Sequence, residues 1–347
     1  MRIPLTCLVA AMVLSAISAE VKLIPVGEFS LPGVMPGEDA PPGLSGITRV
    51  GGDLYYAVAD KGGLLYPMTV DVDRVTGAVT GSVVCAAVVL PGADRRDMEG
   101  IAWDDEGRKV WVSDELDGSI RAFDPVTGRR LGEIEVPPVY GAFRFNRSFE
   151  SLSIRSTGLE MWTCNEEALC RRQAVVKDGP PVDDGPGTTR ERGSIVRLQK
   201  FVRTTSRDAW RPAGQWAYET DPVGGANFIG KARNGVSDVC CLDDGSVLVL
   251  EREMSVKKGG LLPSFRCRVY LVGFNGATDV STIASLNGAD FSPVSKKCLF
   301  RRNTNFAMYE GICLGPQLSD GSRSVLMVSD GDGGAVARIY ALRLVLQ

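Results

Sequence analysis

The 347-residue chain contains no histidine, and this absence excludes several kinds of active site. A Ser-His-Asp triad, a Cys-His dyad and a histidine-ligated zinc site all need an imidazole, so none can form within this polypeptide. Aromatic residues are few, at 7%, and the charges nearly balance, with 39 Lys and Arg against 42 Asp and Glu. Because this balance argues against binding through bulk positive charge, we expect no nucleic-acid partner.

Long hydrophobic runs are also missing beyond the N-terminus. Basic Arg2 precedes an apolar stretch over residues 5–17, which ends in small residues before Ala19. The run is shorter than the roughly 20 residues of a spanning helix, so the pattern predicts a secretory signal peptide over residues 1–19. We therefore expect an exported protein, periplasmic or extracellular, with no stable membrane span and one domain over residues 20–347.

Removal of the predicted signal peptide leaves eight of the nine cysteines. An even number of cysteines in an exported protein permits disulfides. No Cys-x-x-Cys motif indicates a redox or metal site. Cys164 and Cys170 flank a short loop and are the predicted disulfide pair, while the connectivity of the other six stays open.

Glycine and proline are abundant, with 40 and 19 residues, which suits short strands joined by turns. One phrase occurs five times: a small or acidic residue pair, an apolar strand, a polar turn, a second apolar strand and a carboxylate or Asn. The copies cover residues 43–60, 98–114, 149–165, 236–251 and 309–330. The first three share one spacing, since Gly46 to Asp60, Gly100 to Asp114 and Ser151 to Asn165 each span 14 positions.

Most copies continue with a third strand and several with a fourth, which predicts an all-β propeller of four-stranded antiparallel blades. Five blades are counted, and a degenerate sixth is possible in the 87 positions between Ser151 and Asp238 (238 − 151). The last copy has no fourth strand of its own. Residues 21–26 are predicted to supply it, so that strands from the two termini close the ring.

The propeller arrangement gathers carboxylates on one face. Because neighbouring strands are antiparallel, the start of each first strand and the end of each second strand lie on the same side. Three glutamates at first-strand starts are interpreted as catalytic residues: Glu99, Glu150 and Glu310. The predicted metal ligands are Asp60, Asp114, Glu166, Asp238, Glu251 and Asp330. With oxygen ligands alone to relieve repulsion between the carboxylates, Ca²⁺ is the predicted cation.

Basic residues precede several of these carboxylates, and a segment rich in Pro, Gly and charge, residues 171–193, is predicted to extend over the same face. The residues predicted to bind a small anionic substrate are Arg95, Arg144, Arg147, Lys231, Arg233, Arg252 and Arg301. Guanidinium groups and a metal ion together suit the oxygens of a phosphate or carboxylate.

Two structural readings of the same carboxylates stay open. A single Asp after a strand is most often a turn residue that accepts hydrogen bonds from its own backbone. Alternatively, these Glu and Asp side chains bond to backbone amides of neighbouring blades and hold the ring together. Turn chemistry alone does not account for Glu before the first strand in three copies.

At these residues the chain resembles the phytase-like propeller family, whose domain is described as esterase-like activity of phytase. The phrases that carry the resemblance are 43–47, 99–101, 148–152, 165–166, 235–238, 250–252, 309–312 and 328–332. The resemblance implies an exported propeller linked to hydrolysis of esters or phosphoesters, with calcium expected by analogy with propeller phytases. Those phytases have six blades, whereas five are counted here.

The leading hypothesis is a secreted, calcium-dependent hydrolase of a phosphate ester or another anionic ester. Glu99, Glu150, Glu310 and the strand-end carboxylates would hold Ca²⁺, Arg and Lys would steady the anion, and a free carboxylate would act as general base. A metal-dependent lactonase is the second enzymatic hypothesis. The non-enzymatic one is a ligand-binding or scaffold propeller whose axial acids are structural.

Overall fold

The structure is a computed structural model that describes residues 20–92, 96–224, 232–256, 263–304, 307–331 and 336–346. These ranges contain five antiparallel sheets, and their only helical elements are two short 3-10 turns, Pro138–Ala142 and Arg171–Gln173. Within the same ranges no helix is both long and apolar enough to cross a membrane. The predicted signal peptide, Arg95 and Lys231 lie outside the described residues.

Each sheet is a blade of four strands. Strand β1 (Val21–Ser30) belongs to the fifth blade. The first blade contains β2 (Leu44–Gly51), β3 (Leu54–Ala59), β4 (Leu64–Val72) and β5 (Val79–Val84), with β6 (Val88–Val89) beside β4. The second contains β7 (Met98–Asp104), β8 (Lys109–Asp114), β9 (Ser119–Phe123) and β10 (Arg130–Glu133). The third contains β11 (Ser153–Ile154), β12 (Glu160–Cys164), β13 (Ile195–Val202) and β14 (Arg211–Glu219).

The fourth blade contains β15 (Arg233–Cys241), β16 (Val247–Val256), β17 (Pro263–Gly273) and β18 (Ser295–Thr304). The fifth contains β19 (Tyr309–Gln317), β20 (Arg323–Ser329) and β21 (Arg338–Leu346). Its fourth strand is β1, which pairs antiparallel with β21 from Val21 opposite Leu346 to Ser30 opposite Arg338. The predicted closure by strands from both termini is therefore confirmed.

Five blades, and not six, make up the propeller. Between Ser151 and Asp238 the described residues form the third blade and the start of β15, and an excursion between β12 and β13 accounts for the extra length. The inner strands β2, β7, β11, β15 and β19 pack in this order around the axis, and β19 returns to contact β2. Five large apolar clusters separate the five blades; Leu44 and Val328, for example, belong to the cluster between the fifth and first.

The predicted Cys164–Cys170 disulfide is absent, because all eight cysteines in the described ranges are unpaired thiols. Cys164 ends β12 and packs among Trp162 and Leu198 in the apolar cluster between the third and fourth blades. Cys170 lies in the excursion, where it makes an antiparallel bridge to Asp183. The two side chains thus belong to different layers of the blade, which sequence spacing does not reveal.

Candidate functional site: two rings at the mouth of the channel

Strand register identifies equivalent residues of the five blades at one mouth of the channel. The corresponding pairs between first and second strands are Leu44–Ala59, Met98–Asp114, Phe149–Asn165, Val236–Glu251 and Tyr309–Ser329. The residues that follow the first members form what we call the inner ring: Ser45, Glu99, Glu150, Ser237 and Glu310. Those that follow the second members form the outer ring: Asp60, Glu115, Glu166, Arg252 and Asp330.

A repeated backbone hydrogen bond supports this equivalence. In four blades the outer-ring residue donates its N–H to the carbonyl of the residue two positions before the inner-ring residue. The bonds are Asp60 to Gly43 at 2.7 Å, Glu115 to Asp97 at 2.7 Å, Glu166 to Ser148 at 2.9 Å and Asp330 to Met308 at 3.1 Å. Both rings are therefore fixed by the blade backbone, which pre-organises their side chains.

The three inner-ring glutamates are buried and electrostatically strained. Glu99, Glu150 and Glu310 are only 7%, 4% and 6% exposed. Burial, followed by the nearby charges of Glu310 and Glu115, raises the pKa of Glu99 well above its ordinary value. The pKa of Glu150 is raised in the same direction by burial and by Glu166. Burial raises the pKa of Glu310 to about 7, although Arg252 opposes the shift.

Arg252 is the one cation of the outer ring, and it joins three blades. Its guanidinium donates to Glu310 of the inner ring and, at 3.0 Å, to Glu166. Its Nη2 also lies 3.7 Å from Glu150. Arg147 adds a second cation, with Nη1 at 3.0 Å from Glu166. Burial alone would raise the pKa of Glu166, but the two guanidinium groups outweigh burial and lower it.

Glu115 is a buried outer-ring acid of the second blade. Its side chain is 3% exposed, and its Oε1 has no hydrogen-bond partner. Burial, then the charge of Glu166, raises its pKa to about 7. Two groups of carboxylates share it: oxygens of Asp97, Glu99 and Glu115 lie within 4.8 Å of one another, as do those of Glu115, Glu150 and Glu166. The donor set is therefore suited to a hard cation.

The other two outer-ring acids flank Glu310. Asp60 is partly exposed and pairs with Lys61 at 3.0 Å, while Asp330 is buried. The charges of Asp330 and Asp60 both raise the pKa of Glu310. Sequence reasoning placed both residues at this mouth, where the structure also has them.

Asp114 and Glu251 occupy equivalent positions that lie outside both rings. Successive side chains of a strand point to opposite faces, so the residue before each outer-ring member turns away from the channel. Asp114 instead accepts from Arg96 at 2.8 Å and from the backbone N–H of Leu116 at 3.1 Å. Glu251 accepts from Lys296 at 2.9 Å in a separate polar cluster. The structure therefore does not bring these two predicted ligands together with the rest.

Asp238 lies one position beyond the inner ring, where three other blades have glycine: Gly46, Gly100 and Gly311. Its carboxylate accepts the backbone N–H of Leu152 at 3.3 Å and that of Ile312 at 2.7 Å, from the blades on either side. It thereby performs the ring-knitting role that the sequence left as an alternative. Burial raises its pKa well above the ordinary value, and the backbone N–H groups oppose this shift.

Several residues predicted to bind the substrate instead contact acidic side chains of the protein, and Arg301 lies on an outer strand. Arg147 and Arg252 bind the ring carboxylates, and Arg144 lies 3.7 Å from Glu167 and donates to the Gly185 carbonyl at 2.8 Å. The charge of Arg233 lowers the pKa of Glu166. Arg301 is exposed on β18, the outermost strand of the fourth blade.

Two residues of the site were not among the sequence predictions for site residues: Asp97 and Glu115. Asp97 stands two positions before Glu99, and the alternation of side chains along a strand was a signal that could have found it. Sequence spacing favoured Asp114 over the adjacent Glu115 as the ligand because the turn lengths of the hairpins differ. The first hairpin has a two-residue turn between Gly51 and Leu54, whereas the second has a four-residue turn between Asp104 and Lys109. Equal sequence spacing therefore aligned Asp60 with Asp114 instead of Glu115.

A cavity of about 310 Å³ opens beside the rings, between the second and third blades. Asp97 and Glu115 line it, so the cavity adjoins the carboxylate groups. Its other walls include Phe143, Phe145 and Val176. The arrangement combines concentrated acids with an adjoining apolar chamber, which is the usual composition of a small-molecule site.

Comparison with known proteins shows similarity to several solved structures. The PQQ-bound aldose sugar dehydrogenase of Streptomyces coelicolor is 12% identical, with 93% of this chain and 100% of that chain covered and a TM-score of 0.40. A chain of the nidogen/laminin complex is 9% identical, with 86% and 100% covered and a TM-score of 0.37. Hydrazine synthase of Kuenenia stuttgartiensis is 14% identical, with 91% and 67% covered and a TM-score of 0.34.

No curated protein matches the chain. The family comparison, by contrast, matches residues 41–333, a span that contains all of both rings. This span covers most of the chain, from the residues before β2 to those after β20. The chain belongs to the phytase-like family, described as esterase-like activity of phytase.

Proposed function

We propose that the protein is a calcium-dependent ester hydrolase whose site consists of the two rings and Asp97. The observation that carries the proposal is Glu115, whose Oε1 is buried without a hydrogen-bond partner and whose carboxylate has an oxygen within 4.8 Å of oxygens of other buried carboxylates. A buried polar atom left unpaired costs about 1–3 kcal/mol, and more when it is charged. A cation at this position would remove that cost together with the repulsion between the acids.

The residues best placed to hold the ion are Glu115, Glu150 and Glu166, which are all buried. Ca²⁺ prefers several oxygen ligands and tolerates irregular geometry, which suits carboxylates that come from two neighbouring blades. When bound, Ca²⁺ would supply a Lewis acid that polarises the ester carbonyl and acidifies water. The two guanidinium groups on Glu166 keep that carboxylate ionised and oriented.

Asp97 is the proposed general base. It is half-buried, it lines the cavity, and one of its oxygens lies within 4.8 Å of oxygens of Glu99 and Glu115. Burial, then the charge of Asp60, raises its pKa to about 6, near the pH at which a base is most effective. In the proposed reaction Asp97 takes a proton from water, the water oxygen bonds to the carbonyl carbon, and the ester C–O bond breaks. The departing alkoxide then takes that proton and leaves as an alcohol.

The first experiment is a hydrolysis panel with the purified protein. Its substrates are p-nitrophenyl acetate, p-nitrophenyl phosphate, phytate and a γ-lactone, each measured with Ca²⁺, with EDTA, and with Ca²⁺ restored. We expect turnover of at least one substrate that EDTA abolishes and Ca²⁺ restores. Turnover of the lactone alone would place the protein with the lactonase hypothesis. Absence of chelator-sensitive turnover on all four would contradict the hydrolase proposal.

Calcium binding is measured separately by isothermal titration calorimetry. Glu115→Gln should weaken Ca²⁺ binding by about 10- to 100-fold, as loss of groups that support a metal site commonly does. Glu219→Gln is the matched control, because Glu219 is exposed on the outer strand β14. Asp97→Asn should instead lower kcat by about 10²- to 10⁴-fold, the usual contribution of a general base, with a smaller loss of Ca²⁺ affinity. Unchanged binding in Glu115→Gln would remove the proposed ion site.

A structural role for the rings is the competing function, and the ring-knitting bonds of Asp238 favour it. Arg252 also links blades, since this residue of the fourth blade donates to acids of the third and fifth blades. If Ca²⁺ binds at Glu115 but the panel shows no turnover, the protein is a calcium-stabilised binding propeller.

A further inference from the structure

We propose that the substrate is a carboxylic ester or lactone with an apolar acyl or aryl group, and that this group occupies the cavity beside Asp97 and Glu115. This inference rests on the proposed function, because it names the substrate class of the same site. It differs from the expectation of a phosphate-rich or other anionic substrate.

Aromatic packing makes one wall rigid. Phe143 packs edge-on against Phe149 with ring centroids 5.0 Å apart, and its ring centroid lies 5.6 Å from that of Tyr140. Gly118 permits this packing: it has φ +66°, and an added Cβ would lie 2.2 Å from Cε2 of Phe143. A flat aromatic surface at the floor of a cavity suits an apolar group of the substrate.

The opposite wall comes from the excursion of the third blade and is held in place by hydrogen bonds. Val175 donates its backbone N–H to the Phe143 carbonyl at 3.3 Å. The buried guanidinium of Arg171 donates to the carbonyls of Val176 at 3.1 Å and Pro180 at 3.2 Å. The predicted extension of residues 171–193 over this face thus supplies an apolar side to the cavity.

The charges of the cavity do not favour a polyanion. Its lining includes the acids Asp97, Glu115 and Asp117 and one cation, Arg144. Arg144 is already engaged by Glu167 and the Gly185 carbonyl. Asp117 is paired with Arg121, so even with Ca²⁺ at Glu115 a substrate with several phosphates would meet Asp97 and one guanidinium that is already engaged, too little positive charge to offset the repulsion between its own phosphates. An uncharged ester avoids this repulsion.

Exposed apolar side chains gather at the cavity rim. Leu116, Phe145, Val175 and Val176 are 52%, 71%, 61% and 58% exposed, and all four line the cavity. Such a patch marks a binding surface. A small ester is favoured over a protein partner because Asp97 and Glu115 line the same cavity, so an occupant could place its ester group beside the proposed base.

The test uses p-nitrophenyl acetate, butyrate and octanoate with the Ca²⁺-loaded protein. We expect kcat/KM to rise roughly three- to fourfold per methylene until the cavity is filled, as burial of each methylene predicts. Phe145→Asn should reduce kcat/KM for the octanoate at least tenfold and for the acetate by a clearly smaller factor, with Ca²⁺ affinity unchanged. Val126→Asn is the matched control, since Val126 is 78% exposed and does not line the cavity. Equal kcat/KM for all three esters, or a preference for phytate, would overturn the inference.

A binding measurement separates this inference from the hydrolase proposal. The neutral fluorescent probe N-phenyl-1-naphthylamine is titrated into the protein in EDTA, so no turnover is needed. Saturable binding to the wild type and to Glu115→Gln, weakened in Phe145→Asn, supports the apolar site even if the hydrolysis panel is negative. Failure to bind the probe overturns the inference even if hydrolysis is found. Self-association that Phe145→Asn abolishes would identify a second copy as the occupant, which also overturns it.

Discussion

Arg252 donates to Glu166 at 3.0 Å and thereby joins the fourth blade to the third at the mouth of the channel. Both residues are members of the outer ring, where the other three blades contribute Asp60, Glu115 and Asp330. A single cation has therefore replaced an acid in a ring of acids. This asymmetry means that guanidinium groups neutralise Glu166, whereas Oε1 of Glu115 is buried without a hydrogen-bond partner.

We predict that Arg252→Met destabilises the protein by about 3–5 kcal/mol at neutral pH, the usual cost of removing one partner of a buried ion pair. The side chain is only 10% exposed, and its loss would leave Glu310 buried without this cation and Glu166 with Arg147 alone. Urea denaturation measures the effect. Arg301→Met, on the exposed outer strand, is the control. Equal stabilities of Arg252→Met and the wild type would show that Arg252 contributes no net stabilisation.

The stability of the calcium-free protein should fall as the pH rises. Burial raises the pKa of Glu115 from 4.5 to about 7, so the folded chain binds more protons than the unfolded chain across that window. The associated stability is complete below pH 4.5 and is lost as the pH rises through about 7. Glu310 has a shift of the same direction and size and adds to the effect.

Denaturation of the EDTA-treated protein at pH 5, 6, 7 and 8 checks this expectation, and Ca²⁺ should restore more stability at pH 8 than at pH 5. Glu115→Gln carries no titrating group at this position, so its stability should depend less steeply on pH. A stability that rises between pH 5 and 8 without calcium would contradict the assignment of raised pKa values to the rings.

A buried ion pair between the second and third blades should be essential for stability. Arg203 donates to both oxygens of Asp104 at 2.8 Å, and the two side chains are 1% and 0% exposed. Burial alone would raise the pKa of Asp104, but the bonds from Arg203 outweigh burial and lower it. The pair therefore contributes stability above pH 3.8, which is lost as the pH falls below that value.

Asp104→Asn should destabilise the protein by about 3–5 kcal/mol in a denaturant titration at pH 7, because it leaves Arg203 buried without a counterion. Asp105→Asn is a closely matched control, since the neighbouring side chain is 77% exposed. The difference between the two variants should shrink as the pH falls below 3.8, because the unfolded chain then takes up a proton at Asp104 before the folded chain does. Similar stabilities of both variants at pH 7 would contradict the proposed role of the pair.

The fold could be predicted from the sequence because the repeat depends on the type of residue at each position in the strands and turns. Apolar strands separated by polar turns recur at a nearly constant spacing, and Val21–Ser30 completes the last blade as its strand pattern predicted. The site was harder to predict because it depends on which way each side chain points. A shift of one residue along a strand moves a side chain to the other face.

The second blade illustrates this limit. Its longer turn moves Glu115 into the outer ring and turns Asp114 outward, and nothing in the spacing of acids alone reveals the change. In the fourth blade the same alternation turns Glu251 outward and brings Arg252 to the ring. The strand register was therefore needed to identify Arg252 as the basic member of the outer ring.

Asp238→Asn distinguishes ring-knitting from metal binding. The Asp238 carboxylate accepts N–H groups of Leu152 and Ile312, whereas an amide would turn one NH₂ donor toward a backbone donor. We expect a loss of about 1–3 kcal/mol in stability, the cost of leaving a buried donor unpaired, with unchanged Ca²⁺ affinity by calorimetry. Ser237→Ala, one position earlier in the inner ring, is the control and should have a smaller effect on stability. Weakened Ca²⁺ binding in Asp238→Asn at full stability would reverse the assignment and return Asp238 to the set of metal ligands.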